Sequence, residues 1–321
     1  MADYISWIRS KVGRRKIFVV YSSVVVEDEY GRILLQRRRD FDVWGLPGGV
    51  LEVDEDILTC AHREVQEETG LLLGNVRLTG IYTDPRYDVV YPNGDAVQQF
   101  TFCFAGGVTG GTLRPDPVEC TGASFFTLAE TAVLPMPHWY KAMITDYARC
   151  SETAFLPPFA LPETADQIAQ VRPYIGKARL IGTGAMAVVQ RDDGRILMIR
   201  RRDNGTWIFP SGFCDLGENA AYTAVRETWE ETGLVITPTR IIGIYSHPTF
   251  HHTYANGDPV KNVGVVFAAR WTDGQLQPNT QEVSETAWVW PAQAIQKTDP
   301  VFAPFMANFI QALEGGPPVI W

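Results

Sequence analysis

Long apolar runs, paired cysteines and an excess of positive charge are all missing from this chain, and each absence narrows what it can be. The longest apolar run, Ile17 to Val26, is interrupted by Tyr21, Ser22 and Ser23, and it falls short of the ~20 residues that span a bilayer. No small-residue cleavage site follows it, so neither a membrane span nor a secretory leader is expected. The five cysteines (60, 103, 120, 150 and 214) are an odd number and none forms a CxxC pair. Buried free thiols in a reducing cytoplasm are the expectation. A formal net charge of −9 argues against a broad grip on duplex nucleic acid. It does not argue against a small anionic ligand, because a bound metal can screen local carboxylates.

What is present is ordinary in amount and unusual in arrangement. The 321 residues, 45% hydrophobic and 20% charged, suffice for two globular domains, each with its own core. One spacing of glycine, arginine and glutamate occurs twice. Gly49 and Glu55 precede Arg63-Glu64-Val65-Gln66-Glu67-Glu68-Thr69-Gly70-Leu71. Gly212 and Glu218 likewise precede Arg226-Glu227-Thr228-Trp229-Glu230-Glu231-Thr232-Gly233-Leu234, 163 residues on. The same offset pairs Gly31-Arg32-Ile33-Leu34 with Gly194-Arg195-Ile196-Leu197, Asn93-Gly94-Asp95 with Asn256-Gly257-Asp258, and Glu119 with Glu282. A duplicated unit without net insertion follows: a first domain over 1–150, a proline-rich linker over 151–163 and a second domain over 164–321.

Each copy reads alike. Ile5, Ile8 and Val12 lie at helical spacing and lead into the β-rich run from Ile17 to Val26. A turn at Asp28 to Gly31 precedes a strand from Arg32 to Gln36. A glycine-rich loop, Leu46 to Gly49, leads through Asp54-Glu55 to a helix that Gly70 ends. Asn93-Gly94 suits a hairpin turn, and Pro137 to Tyr147 reads as a closing amphipathic helix. Strands on both sides of the central helix favour a mixed sheet between helical layers, an α/β (α+β) arrangement.

The central helix carries the chemistry. Glu64, Glu67 and Glu68 fall within an arc of roughly 100° beside an apolar stripe of Leu58, Ala61 and Val65. Three carboxylates that close repel one another and raise their own pKa values. A divalent cation offsets the repulsion economically, and oxygen-only ligands favour Mg²⁺ or Mn²⁺ over zinc. Such a cation screens phosphate charge and acidifies a bound water, and a spare carboxylate takes the water's proton. Arg63, about 40° from Glu67 on the helix, can orient a carboxylate by ion pairing. An isolated acidic helix is commonly a solvated surface helix, but the whole spacing, preceded by Trp-x-x-Pro-x-Gly and present twice, is not.

This pattern, GX5EX7REUXEEXGU with U aliphatic, resembles the Nudix box and covers nearly the whole chain as two Nudix-like domains. The resemblance implies an α/β/α sandwich with the box as a loop–helix–loop, and a Mg²⁺- or Mn²⁺-dependent pyrophosphohydrolase. It points to Glu64, Glu67, Glu68 and the Gly49 carbonyl as metal ligands, and to Glu227, Glu230, Glu231 and Gly212 in the second copy. Glu64, Glu67, Arg63, Glu227, Glu230 and Arg226 are the catalytic candidates. Because some members take their base from a later loop, Glu119 and Glu282 join them. The second copy departs in two places. Thr228 stands in the apolar stripe, where its hydroxyl needs a helix carbonyl as partner, and Ser211 replaces Gly48.

Weaker signals surround the box. The arginine triplets sit at a strand end, where alternation puts Arg37 and Arg39, like Arg200 and Arg202, on one face. They either contact substrate phosphate or form surface ion pairs. Trp44 and Trp207 either stack on a base or, the weightier reading, pack at the rim. Tyr87 and Phe250 lie where the family often takes substrate contacts. His251 and His252 read as a surface pair. In the family, a proline or a tyrosine past the box separates ADP-ribose enzymes from dinucleoside polyphosphate enzymes. Pro85 and Tyr87 lie fourteen and sixteen past Leu71 and straddle the two. The expected substrate is ADP-ribose or a nucleotide sugar. A nucleoside triphosphate or dinucleoside polyphosphate comes second, and a nucleotide sensor in one domain is the alternative of another class. The two fused copies are expected to pack as an internal pseudo-dimer.

Overall fold

Asp3 starts the first helix by accepting the Ser6 N–H with its side chain, which satisfies one of the donors a helix N-terminus leaves open. The computed structural model describes residues 3–149, 152–277 and 281–321. Its contacts divide the chain into Met1–Ala154 with Pro173–Ile175, and Phe155–Arg172 with Gly176–Trp321. Cys150 and the first position of the expected linker lie outside the described residues.

The first unit runs α1 (Tyr4–Val12), β1 (Ile17–Glu27), β2 (Ile33–Arg38), β3 (Val43–Gly45), α2 (Ile57–Thr69), β4 (Leu71–Tyr82), β5 (Val89–Val90), β6 (Ala96–Gly111), β7 (Cys120–Phe126), α3 (Leu128–Thr131) and α4 (His138–Arg149). The sheet order is β3-β2-β1-β6-β4, with β5 on β6 and β7 on β2. β1 and β6 are parallel from Ile17↔Val97 to Glu27↔Gly107, while the other pairs are antiparallel. The sheet is therefore mixed. Its centre is buried on both faces, which is why β1 reads as a nearly unbroken apolar run. Ser22 Oγ lies 3.3 Å from Cys60 of α2. Its neighbour Tyr21, on the opposite face, lies in the electrostatic field of Tyr140 from α4. Helices thus cover both faces.

The second unit repeats this plan as β8 (Ala160–Ala165), α5 (Gln167–Ile175), β9 (Leu180–Gln190), β10 (Ile196–Arg201), β11 (Trp207–Ile208), β12 (Ser211–Phe213), β13 (Leu216–Glu218), α6 (Ala220–Thr232), β14 (Leu234–Tyr245), β15 (His251–Thr253), β16 (Pro259–Gly274), β17 (Val283–Val289), α7 (Pro291–Lys297), α8 (Ala303–Ala312) and β18 (Val319–Ile320). The order is β11-β10-β9-β16-β14-β18, again with a parallel central pair, β9 and β16. The segment read as a proline-rich linker does more than connect. β8 begins inside it and pairs with β13, and Asn219 Nδ2 donates to the Pro157 carbonyl at 2.8 Å.

Both box helices are fixed at their ends as the sequence requires. Asp56 accepts from the Leu58 and Thr59 N–H groups, Asn219 from Tyr222, and Gly70 and Gly233 close the helices at φ 73° and 74°, the left-handed conformation glycine adopts freely. Thr228 is buried, and its hydroxyl donates to the Ala224 carbonyl at 2.7 Å, the partner its sequence position calls for. Cys60, Cys103, Cys120 and Cys214 are free and buried. Among the described residues no helix is long and apolar enough to cross a membrane.

Candidate active site

Arg63 is the hub of the first box. Its Nε and Nη2 donate to the two carboxylate oxygens of Glu55 at 3.0 and 2.6 Å. Its Nη1 donates to Glu64 at 2.7 Å and to Glu67 at 3.1 Å, and Nη2 also reaches the Val50 carbonyl at 3.1 Å. One planar fork thereby holds three carboxylates and the loop before the helix. Arg226 does the same with Glu218, Glu227, Glu230 and the Phe213 carbonyl. The bidentate role of Glu55 and Glu218 was not read from the sequence. Each precedes its helix, where helical-wheel arithmetic does not apply.

The other glutamates are fixed differently. Glu68 is buried and accepts the Gly48 N–H at 2.8 Å. Glu231 accepts the Ser211 N–H at 3.0 Å, so the exchange of Gly48 for Ser211 keeps the donor that matters. The Glu64 carboxyl carbon sits 2.3 Å from where a Cβ on Gly49 would be, and that of Glu227 2.1 Å from the same point on Gly212. Only glycine leaves room there. Glu67 and Glu230 are the open members, with side chains 61% and 43% exposed.

Glu119 reaches the box through backbone bonds. The N–H groups of Thr112, Arg114 and Asp116 donate to the carbonyls of Gly70, Thr69 and Glu68 at 3.3, 2.8 and 2.9 Å, using acceptors the end of α2 leaves open. The Arg39 N–H then bonds the Glu119 carbonyl at 2.9 Å, and Arg202 bonds Glu282 at 2.8 Å. Glu119 thereby acts on both Glu64 and Glu68, and Glu282 on Glu227 and Glu231. Burial first, then these like charges, push Glu64 and Glu227 up to about 7. The same causes raise Glu68 and Glu231.

Among the described residues no three His, Cys, Asp or Glu side chains converge into a ready-made metal cage, because each arginine fork draws two box glutamates to itself. The donor set nevertheless suits a hard divalent cation. It consists of oxygens alone, and its carboxylates stay raised by burial and by one another despite the arginine beside them. The Gly49 carbonyl accepts from the Ser22 N–H at 3.0 Å and, more weakly, from the Cys60 thiol at 3.8 Å.

Of the two readings of the arginine triplets, surface ion pairing is the one that Arg37 and Arg200 follow. Arg37 pairs with Asp42 at the surface and Arg200 with Glu285, so neither faces the box. The inward residues are the middle ones. Gln36, two positions before Arg38 on the same face, hydrogen-bonds Glu68, which fixes the face that meets the box. Arg201 acts on Glu231. A shift of register between Arg37 and Arg38, and between Arg200 and Arg201, then breaks the alternation beyond them. Arg39 donates to the Pro117 carbonyl at 2.8 Å.

In the second unit the box opens into a cavity of about 890 Å³, lined by Glu227, Glu230, Glu231 and Glu282 and by Arg201, Arg202, Trp207 and Phe250. Trp207 lies under the Lys297 ammonium, 4.4 Å from its ring centre. Phe250 packs on Tyr245 and Phe305 with centroids 5.1 and 4.7 Å apart. His252, expected at the surface, is exposed but also lines the cavity. In the first unit Trp44 meets Phe126 edge-on at 4.9 Å. Tyr87 is buried between Tyr82 and His138.

A family model described as the NUDIX domain matches residues 18–147 and again 181–313. A MutT-like protein of Streptomyces ambofaciens is 33% identical over 131 residues, 41% of this chain and 76% of that protein. A putative 8-oxo-dGTP diphosphatase of Bacillus subtilis is 32% identical over 110 residues, 34% of this chain and 67% of its own. An ADP-ribose pyrophosphatase of Methanocaldococcus jannaschii is 39% identical over 77 residues, 22% of this chain and 46% of its own. A solved ADP-ribose pyrophosphatase from Streptococcus suis is 20% identical, covering 44% of this chain and 98% of that one, with a TM-score of 0.35.

Proposed function

The chain belongs to the NUDIX family in both halves, and on that premise we propose that it hydrolyses the pyrophosphate of a nucleoside diphosphate joined to a second moiety, ADP-ribose or a nucleotide sugar in the first instance. The observation that carries this reading is the arginine-centred carboxylate cluster, present at both boxes with the same partners. Glu64, Glu67, Glu68 and the Gly49 carbonyl would hold Mg²⁺ or Mn²⁺, as would Glu227, Glu230, Glu231 and Gly212. When bound, the cation screens phosphate charge and acidifies water.

The chain's own groups do the rest. Arg63 and Arg226 fix the direction of two box carboxylates each, while Glu68 and Glu231 stay anchored to backbone N–H groups. Glu67 and Glu230, the most exposed of the set, accept the proton of the attacking water, and Glu119 and Glu282 are the second candidates for that proton. The water oxygen bonds to one phosphorus as the bridging P–O bond breaks, and the displaced phosphate leaves. In the second unit Arg201 and Arg202 flank the path to the box and suit phosphate oxygens. A nucleoside triphosphate or dinucleoside polyphosphate is the second reading, favoured by the name of the Bacillus subtilis relative.

Turnover of these four substrate classes with Mg²⁺ or Mn²⁺ tests the proposal, comparing wild type with Glu67→Gln, Glu230→Gln and the double variant. Each single variant should silence its own domain, the double should lose all turnover, and a chelator should stop the wild type until metal is returned. Undiminished turnover in the double variant would sink the carboxylate assignment. Tight binding without hydrolysis, independent of metal, would favour a sensor.

A further inference from the structure

The two boxes are alike, but the walls facing them are not. At the constant offset, Tyr21 of β1 corresponds to Gly184 of β9, Gly45 of β3 to Ile208 of β11, and Tyr140 of α4 to Ala303 of α8. In the first unit Tyr140 is buried and its ring lies against Gly45, with Cε2 2.7 Å from where a Cβ there would be. Tyr21 shares a hydrogen bond with Tyr91, hydroxyl to hydroxyl, at 3.1 Å. The Arg38 guanidinium sits beside the Tyr140 hydroxyl and is paired with Asp40 at 2.6 Å. Tyrosine rings therefore pack around the inward arginine, and Tyr140 lies in the field of Glu68.

In the second unit Gly184, Ile208 and Arg201 line the cavity, with the Gly212 carbonyl and the Tyr245 hydroxyl 2.6 and 3.3 Å from where a Cβ on Gly184 would be, and Ala303 takes the sequence position of Tyr140. Trp207, Phe250, Phe302 and Phe305 form an aromatic wall of the same cavity. Phe250 and Phe302 are nearly parallel, 26° between planes at 6.0 Å. Flat π-faces suit a planar aromatic ring.

We infer that the second domain is the one that seats a nucleobase, and that Tyr21 and Tyr140 deny the corresponding space to a base in the first domain. The first domain is then the site for pyrophosphates whose second group is small and not aromatic. Tyr140 is a specificity-determining residue; Arg38 and Arg201 are paired alike with Asp40 and Asp203, and what differs is the tyrosine ring beside Arg38. This inference rests on the pyrophosphatase reading above and assigns its two sites different substrates.

The test compares ADP-ribose with a ribose 5-phosphate 1-diphosphate that carries no base. Each domain is read alone in chains silenced at the other by Glu67→Gln or Glu230→Gln. The ratio of kcat/KM for the two probes should favour ADP-ribose at least about tenfold more in the second domain than in the first, a step in the range that filling one apolar subsite gives. Tyr21→Gly with Tyr140→Ala should raise the first domain's ratio by a similar factor. Ala303→Tyr should lower the second's while leaving turnover of the base-free probe, which also reports that the variant is folded. Equal ratios in the two single-domain chains, or ratios unmoved by these substitutions, overturn the inference and leave the hydrolase reading standing. A wild-type chain that turns over neither probe overturns the inference, and the hydrolase reading falls with it only if a nucleotide sugar, a nucleoside triphosphate and a dinucleoside polyphosphate are also left intact.

Discussion

Removing the charge of Arg63 while keeping most of its bulk, as in Arg63→Met, should expose how much the arginine fork contributes. The substitution breaks every bond of a cation that is 29% exposed and leaves Glu55, 11% exposed, and Glu64, 13% exposed, without their counter-charge. Glu67, 61% exposed, adds little, because water replaces its partner. Breaking a buried pair from one side costs about 3–5 kcal/mol; partial exposure puts Arg63→Met at the lower end, about 3 kcal/mol. Native-state hydrogen exchange reads this locally. The protection of the α2 amides should fall by roughly 150-fold, at 1.36 kcal/mol per factor of ten. Adding Glu55→Gln should return about 1–2 kcal/mol, because it removes the stranded charge rather than a stabilising group. Arg226→Met should cost more than Arg63→Met, since Arg226 and Glu218 are 19% and 1% exposed. A loss below about 0.5 kcal/mol in Arg63→Met, or no coupling with Glu55→Gln, would refute the reasoning.

Two further substitutions test the loops and the helix. Gly48→Ala should destabilise the first domain by about 3 kcal/mol or more, because φ is 145° there and the new Cβ would lie 2.1 Å from the Ser22 carbonyl oxygen. Ser211→Gly should change stability by less than about 1 kcal/mol, because Ser211 already pairs with Met186 as part of β12; equal melting shifts for the two would refute this. Thr228→Val should move stability by no more than about 1 kcal/mol, since it restores an aliphatic residue and removes only a bond to a helix carbonyl. A large loss on thermal melting would mean the hydroxyl has a further role.

The parts of the fold legible in the sequence are those where one local rule acts without competition. Asn93-Gly94 gives the turn before β6, with Gly94 at φ 88°, and Gly70 ends α2 where its place after the acidic run suggests. The box itself is legible because helical spacing alone gathers Glu64, Glu67 and Glu68. The arginine triplets show where such rules stop. Strand alternation separates Arg38 from Arg37 and Arg39 but does not say which face meets the box. That is decided by where α2 docks, recorded in the contact between Gln36 and Glu68. The register shift at the strand end is likewise a property of the partner strand β7, which lies far along the chain. Tyr140 is beyond reach for the same reason. Its helical period predicts a buried face for α4 but not that its ring will lie on Gly45.

The duplication separates two kinds of constraint that a single domain would leave mixed. The arginine fork, the glycine under the first glutamate and the backbone N–H behind the last one are the same in both copies, although their surroundings differ. Each depends on an unusual steric or charge requirement. A Cβ at Gly49 or Gly212 would meet a carboxylate, and a carboxylate at Glu55 or Glu218 without its arginine would lose its counter-charge. A change at any of these positions cannot be offset by one neighbour. The wall positions differ because their requirement is only to fill space or to leave it. Tyr21 with Gly45 and Tyr140, or Gly184 with Ile208 and Ala303, satisfy the sheet equally well, since an aromatic ring or a small residue can occupy a cavity wall without stranding a charge. It follows that exchanging these wall sets between the domains should move substrate preference with little loss of stability, whereas any exchange that separates Arg226 from Glu218 should cost stability before it changes preference. Swapping the three wall residues together and recording melting alongside the two-probe ratio distinguishes these outcomes. A chimera that unfolds while keeping its arginine fork would show that the walls carry structure as well as selectivity.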